Sequence, residues 1–248
     1  MTWLRLVRAE LRKLTSTKLV WAFLAILAFI SGITATAVIF GTDMDGSKAF
    51  ISTAGDQKSL MAFASNALMG AGLFGAIAVA REYGHGTVVP TFLTEPRRYR
   101  AVLAQFTAVG LVGALLGLVG AALTIAAVAA SLPTTEYGFM VSAGGVAQIS
   151  AAAAFAASAG AVLGAGIGAL IRNTGGAVAA AVVVLIITPP LIVQLANEAA
   201  SWVPDTLTKV TSGVANDVGL GAALAAIAAW AFVPAVIGLL AVQRRDVV

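Results

Sequence analysis

An all-α integral membrane protein is the fold class this sequence predicts, with six transmembrane helices preceded by an N-terminal amphipathic interfacial helix. Three observations predict it. Of 248 residues, 60% are apolar and only 10% charged, against about a quarter charged in a soluble domain. The charges are clustered, and six long runs between them contain no Asp, Glu, Lys, Arg or His: about 19–40, 59–80, 101–131, 146–171, 175–196 and 218–242. Each run is long enough for a hydrocarbon core of about 30 Å, which takes roughly 20 helical residues. Backbone groups in lipid must be paired within the protein, so each run is expected to be helical. The period-two alternation of a transmembrane barrel is absent. No linker or soluble domain is visible, and residues 1–248 read as one transmembrane domain.

The elements follow in order. In residues 1–18, Trp3, Leu4, Val7, Leu11 and Leu14 recur at helical spacing, with Arg5, Arg8, Arg12 and Lys13 on the remainder. This is a short basic amphipathic helix suited to an anionic leaflet, its apolar face expected in the membrane interface. Its bland counterpart is a topogenic anchor with no further role. Basic residues before the first span suggest a secretory signal, but its apolar core exceeds the usual 7–15 residues of one, so it is expected to be retained. Residues 81–100 form the basic connection between spans two and three. Thr188-Pro189-Pro190 interrupts span five. Proline removes a donor and clashes one turn back, so a kink or break is expected there. Gly113/Gly117, Gly160/Gly164 and Gly164/Gly168 have the small-residue spacing that lets helices approach closely. In segment 197–217, Trp202 and Pro204 suggest an interfacial element rather than a free loop.

Lys and Arg set the orientation. Six spans place both termini on one side, with twelve of the 15 basic residues, ending with Arg244 and Arg245. Lys48, Lys58 and Lys209 fall on the other side, with seven of the eleven acids. Both termini are therefore expected in the cytoplasm. The basic pI of about 9.8 accompanies apolar runs, which favours contact with membrane lipids over nucleic acid.

Several chemistries are disfavoured. No Cys and a single His, His85, leave no thiolate or His-cluster metal centre. Gly70-Ala71-Gly72-Leu73-Phe74-Gly75 matches a dinucleotide fingerprint but lies inside an apolar run, not after a strand. Gly41 to Lys48 resembles a phosphate loop, but Ser47 precedes Lys48, and Asp43 and Asp45 would repel phosphate. The chain is therefore not expected to be an enzyme or to hold a cofactor. Ion-coupled carriers generally need ionisable groups in the membrane. Here the spans offer Asn66, Gln105, Gln148, Gln194 and hydroxyls. Amide and backbone coordination of Na⁺ remains as an alternative.

The connection after span two reads Arg81-Glu82-Tyr83-Gly84-His85-Gly86-Thr87-Val88-Val89-Pro90-Thr91-Phe92-Leu93-Thr94-Glu95-Pro96-Arg97-Arg98. Gly84 and Gly86 permit a sharp reversal. Thr87 suits a helix cap, and Pro90 is tolerated in a first turn. A small helix between two spans is predicted. This segment resembles the type-2 ABC-transporter permeases, in which a Glu, then Gly-Thr, a short helix and a Pro-Arg pair follow the second span. Glu82, Gly86, Thr87, and Pro96 with Arg97 or Arg98 fill those places. The basic lead-in helix and six-span topology also match. Gln105 departs from the pattern, since related permeases often carry Lys there.

The resemblance implies a multi-pass permease subunit in a bacterial inner (plasma) membrane, working with a separate cytoplasmic ABC ATPase that holds the ATP and Mg. It also implies a second permease copy or paralogue, and export as the commoner direction. Segment 82–96 would be the coupling element. Glu82, Gly86 and Thr87 would shape it, and Val88, Val89, Phe92 and Leu93 would contact the ATPase. An uncharged membrane interior suits a hydrophobic or amphipathic cargo. The competing class is a non-transport membrane scaffold or immunity protein.

Overall fold

The computed structural model describes residues 2–44, 46–64, 66–95 and 97–244. Asp45, Pro96 and Arg245, used above, lie outside the described residues. Among those described there is no strand. Six helical segments are long and apolar enough to cross a membrane: Lys18–Phe40, Ala54–Gly84, Arg98–Thr134, Ala143–Ile171, Thr174–Leu195 and Leu220–Arg244.

The short amphipathic helix is α1 (Trp3–Thr15), and α2 (Lys18–Phe40) is the first span. The Ser16 and Thr17 hydroxyls donate to the Lys13 and Leu14 carbonyls at 2.9 and 2.8 Å, closing α1 before the chain turns into the membrane. The second span is not continuous. It consists of α3 (Ala54–Ala64) and α4 (Leu68–Gly84), with Asn66 and Ala67 non-helical between them. A short helix, α5 (Val88–Thr94), then leads to α6 (Arg98–Ser131), the third span.

The fourth span, α7 (Ala143–Ile171), begins at Ser142, whose hydroxyl accepts the Gly145 amide at 3.1 Å. It ends at Arg172 in the left-handed conformation, φ 59°. Asn173 then caps α8 (Thr174–Val182) by accepting the Gly176 amide at 2.9 Å.

The fifth span does not break at its prolines. Val183–Ile187 form a π-turn that runs directly into α9 (Thr188–Leu195). Wider π spacing absorbs the missing proline donors. The Val183 carbonyl accepts both the Thr188 amide and, at 2.9 Å, the Thr188 hydroxyl. The 197–217 segment is largely helical, with a 3₁₀ turn at Asn197–Trp202 and α10 (Pro204–Thr211). The last span is α11 (Leu220–Arg244), which carries Pro234 inside the helix.

Helix α7 lies at the centre, against α4, α6 and α11. Glycine makes this possible. A Cβ at Gly164 would strike the Gly72 carbonyl and lie 2.8 Å from the Ala76 amide, and one at Gly168 would lie 2.7 Å from Ala76 O. From the other side, a Cβ at Gly113 would meet Ala157 O at 2.8 Å. Gly166 and Gly238 bring α7 and α11 together beside Pro234. All three predicted glycine spacings are therefore close helix crossings. Lipid tails are as apolar as the spans, so such van der Waals contact holds a bundle together in a membrane.

Candidate functional site

One end of the bundle gathers α1, the end of α4, α5, Arg172 and the end of α11. Helix α1 buries Leu6, Val7 and Leu14, with Leu6 and Val7 clustering on Ala104 of α6. Its apolar face was expected in the membrane interface. Leu6 and Val7 pack on the third span, where small Ala104 leaves room for them, while Trp3 and Leu4 of the apolar face stay exposed. Arg5, Arg8 and Arg12 are exposed on the face turned away.

Lys13 does not join that basic stripe. Its ammonium donates to both Glu82 oxygens, at 3.4 and 3.2 Å, and to the Thr91 hydroxyl at 3.3 Å. It also pairs with Glu10 at 2.6 Å, one turn back. A single ammonium thus ties α1, α4 and α5 together. Glu10 and Glu82 are both buried. Burial and then the Glu82 charge push the Glu10 carboxyl above its ordinary pKa, against the pull of Lys13. Burial alone would lower the Lys13 pKa, but the Glu82 and Glu10 carboxylates outweigh it, so Lys13 titrates above the ordinary lysine value.

The connection itself is tightly folded. Gly84 completes α4, and Gly86 alone takes the left-handed turn, φ 68°. Thr87 makes no cap bond to α5. Its hydroxyl donates backward to the Glu82 carbonyl at 3.3 Å, fastening the turn to α4. His85 Nδ1 lies 2.8 Å from the Arg81 carbonyl, a structural role at the helix end. Glu95 is buried and pairs with Arg100 at 3.5 Å, fixing the far side.

The four apolar residues of α5 divide. Val88 is 4% exposed, and Phe92 packs on the main core with the Arg98 guanidinium 5.8 Å over its ring. Val88 faces the bundle and Phe92 is half-buried, because the two-turn helix directs that side inward. Val89 and Leu93 are 42% and 78% exposed and form the outward pair. At the junction lies a crevice of about 390 Å³, lined by Lys13, Ser16, Thr17, Arg81, Glu82, His85 and Thr87.

Sequence reading missed three members of this end. Glu10 falls on the apolar stripe of α1, three residues before Lys13, and an acid on a buried face was the signal. Tyr83 and Arg172 are the other pair. The Arg172 guanidinium sits 5.2 Å over the Tyr83 ring and donates to the Ala241 carbonyl at 3.4 Å. The Tyr83 hydroxyl is buried without a hydrogen-bond partner among the described residues.

At the opposite end, Gln57 donates to the Ile51 and Gly138 carbonyls and accepts the Met140 amide. Lys58 bonds Gln148 at 3.0 Å and Gly213 O at 3.1 Å. Lys48 caps the end of α2 through the Val38 and Ile39 carbonyls. These groups join loops and helix ends and leave no reactive constellation. No group of three or more His, Cys, Asp or Glu that could hold a metal occurs among the described residues. Compared with known proteins, the chain matches no family model and no curated sequence.

Proposed function

We propose that this chain is the membrane-spanning permease subunit of an ATP-driven type-2 ABC transporter, working with a separate cytoplasmic ATPase. The observation that carries the reading is the Lys13 junction, in which one ammonium holds the α1 helix, the second span and α5 together. A chain without a nucleotide loop must receive work through a contact, and a rigid three-way junction at the end of a span suits that task. The resemblance of 82–98 to the coupling segment of such permeases supports the same reading.

In this mechanism Glu82 is a positioning residue, not a base. ATP-driven closure of the ATPase pair moves Val89 and Leu93. The junction passes that movement to α4 and, through its glycine crossing, to α7. Two permease copies, or a paralogous pair, then shift between inward- and outward-facing states. The membrane is a bacterial plasma membrane with both termini cytoplasmic, and the cargo is hydrophobic or amphipathic and exported.

The test is crosslinking of single Cys substitutions at 88, 89, 92 and 93 to the co-expressed ATPase, with and without ATP. Positions 89 and 93 should crosslink, and 88 and 92 should not. Leu93→Ala should lower ATP-dependent transport while the permease stays folded, by up to about 2 kcal/mol of interface energy if Leu93 is an anchor. If neither outward position crosslinks and Leu93→Ala transports normally, the coupling reading fails. A scaffold would leave the ATPase rate of any co-purified partner unchanged.

A further inference from the structure

We propose that the cavity among the first, second and fifth spans binds a single-chain amphiphile, with its alkyl chain along the bundle and an uncharged hydrogen-bond-accepting head at Asn66. The cavity encloses about 240 Å³. Its walls include Phe23, Leu27 and Ile30 of α2, Leu73 and Ile77 of α4, and Val178 of α8. It runs from Ala67, just before α4, to Ile77 within it, a span of about 15 Å, or roughly one leaflet of hydrocarbon. Its volume lies below the roughly 300–1,000 Å³ of drug-sized pockets. Long and small together describe a slot for a chain, not a bowl for a ring system.

The polarity is one-ended. Asn66 supplies the amide at the end where α3 gives way to α4. Its Nδ2 donates to the Thr208 hydroxyl at 3.0 Å, and its Oδ1 accepts the Leu68 amide at 3.4 Å. An amide nitrogen carries two hydrogens, so one remains for an acceptor on the ligand. No charged side chain lines the cavity, and an ionised head would lose its hydration there without a partner.

Glycine marks the void. A Cβ on Gly70 would meet nothing within 4 Å, whereas Cβ atoms on Gly72 and Gly75 would collide with Leu185 and with the Ala161 carbonyl. One wall is open: Ile26 and Ile30 line the cavity yet are 49% and 38% exposed. In a bilayer that side admits a chain laterally. A resident lipid and a transported amphiphile share this chemistry, and only the second identity rests on the proposed transport function.

The test uses the full chain in lipid nanodiscs and a 12-carbon monoacylglycerol carrying a diazirine at its chain end. Labelled residues are mapped by mass spectrometry. Saturable labelling should fall on cavity residues such as Phe23 and Leu73. Gly70→Phe should abolish it, with Gly70→Leu as the milder variant, while thermal unfolding stays close to that of the parent. Asn66→Ala should weaken competition by unlabelled monoacylglycerol about fivefold, the loss of one hydrogen bond.

Labelling spread over Leu111, Leu115 and Leu118, and equal in the Gly70 variants, would overturn the site. So would efficient disulfide formation between copies at Ile26→Cys with the probe excluded, which would make this face an interface. With the co-purified ATPase present, loss of label on ATP hydrolysis supports the site and identifies cargo. Label that persists supports the site as a resident-lipid position. That arm bears on the transport reading and leaves the binding result standing.

Discussion

Lys13 is placed by competition between two demands. As a basic residue on a short surface helix it belongs in water with Arg5, Arg8 and Arg12. Two buried carboxylates and the Thr91 hydroxyl draw it inward instead. A partly buried pair loses less when broken than a fully buried one. Lys13→Met should therefore loosen α1 by about 1–2 kcal/mol, and Glu82→Gln by a similar amount. The double variant should cost less than the sum, because each single change leaves the other charge stranded. Hydrogen exchange of α1 amides in the detergent-solubilised chain would measure this.

The pH dependence has a definite sign. The Lys13 pKa is raised, so its contribution is fully present below the ordinary lysine value of 10.5 and is lost as pH rises through its higher folded value. The Glu10 pKa is raised too, so its protonated form is favoured by folding, and that contribution fades as pH rises through its folded value. Alkaline titration through the raised Lys13 value should therefore release α1. Gly164 gives a second residue-scale expectation. A side chain there meets the Gly72 carbonyl and the Ala76 amide, so relief requires α4 and α7 to separate. Gly164→Val should lower the thermal unfolding midpoint of the detergent-solubilised chain by an amount equivalent to about 1–3 kcal/mol, whereas Gly70→Ala should be nearly silent.

At the scale of elements, the fifth span shows how a rule can hold while its expected outcome changes. Pro189 and Pro190 do remove donors, yet the span stays helical because a π-turn spreads the deficit over Val183–Ile187. Leu185 of that turn fits against Gly72 of α4, so the irregularity is also the contact with the second span. Replacing both prolines with Ala should restore α-helical spacing and rotate Leu185 out of its notch. The expected readout is a change in transport larger than the change in expression, and an altered crosslink between Cys pairs at 72 and 185. Unchanged crosslinking in the double variant would count against a π-turn set by the prolines. The second span differs again. Its apolar run continues across Asn66, but the helix does not. Hydropathy measures what can sit in lipid, whereas helical continuity also depends on hydrogen bonds to remote elements, such as that from Asn66 to Thr208.

At the scale of the molecule, the charged ends separate as an even number of spans requires. Lys13, Glu82, Arg172 and Ala241 meet at one end, and Lys58, Gln148 and Gly213 at the other. Single cysteines introduced into this Cys-free chain should react with a membrane-impermeant maleimide from outside at 48, 58 and 209. Cysteines near 97 and 172 should react only after the membrane is opened. External reaction at 97 would sink the six-span arrangement.

The number, type and rough bounds of the spans were legible in the sequence by itself, because lipid punishes charge and unpaired backbone one segment at a time. The glycine spacings were legible for the same local reason. Which helix each glycine meets was not, nor that α7 is the central helix. The packed face of α1, the shared ammonium and the inward turn of Val88 and Phe92 also came only from the tertiary structure. Those features depend on distance between residues far apart in the chain: Lys13 and Glu82 are 69 positions apart. A local pattern of polarity carries no information about which remote group will answer a charge. Only the packed bundle decides that.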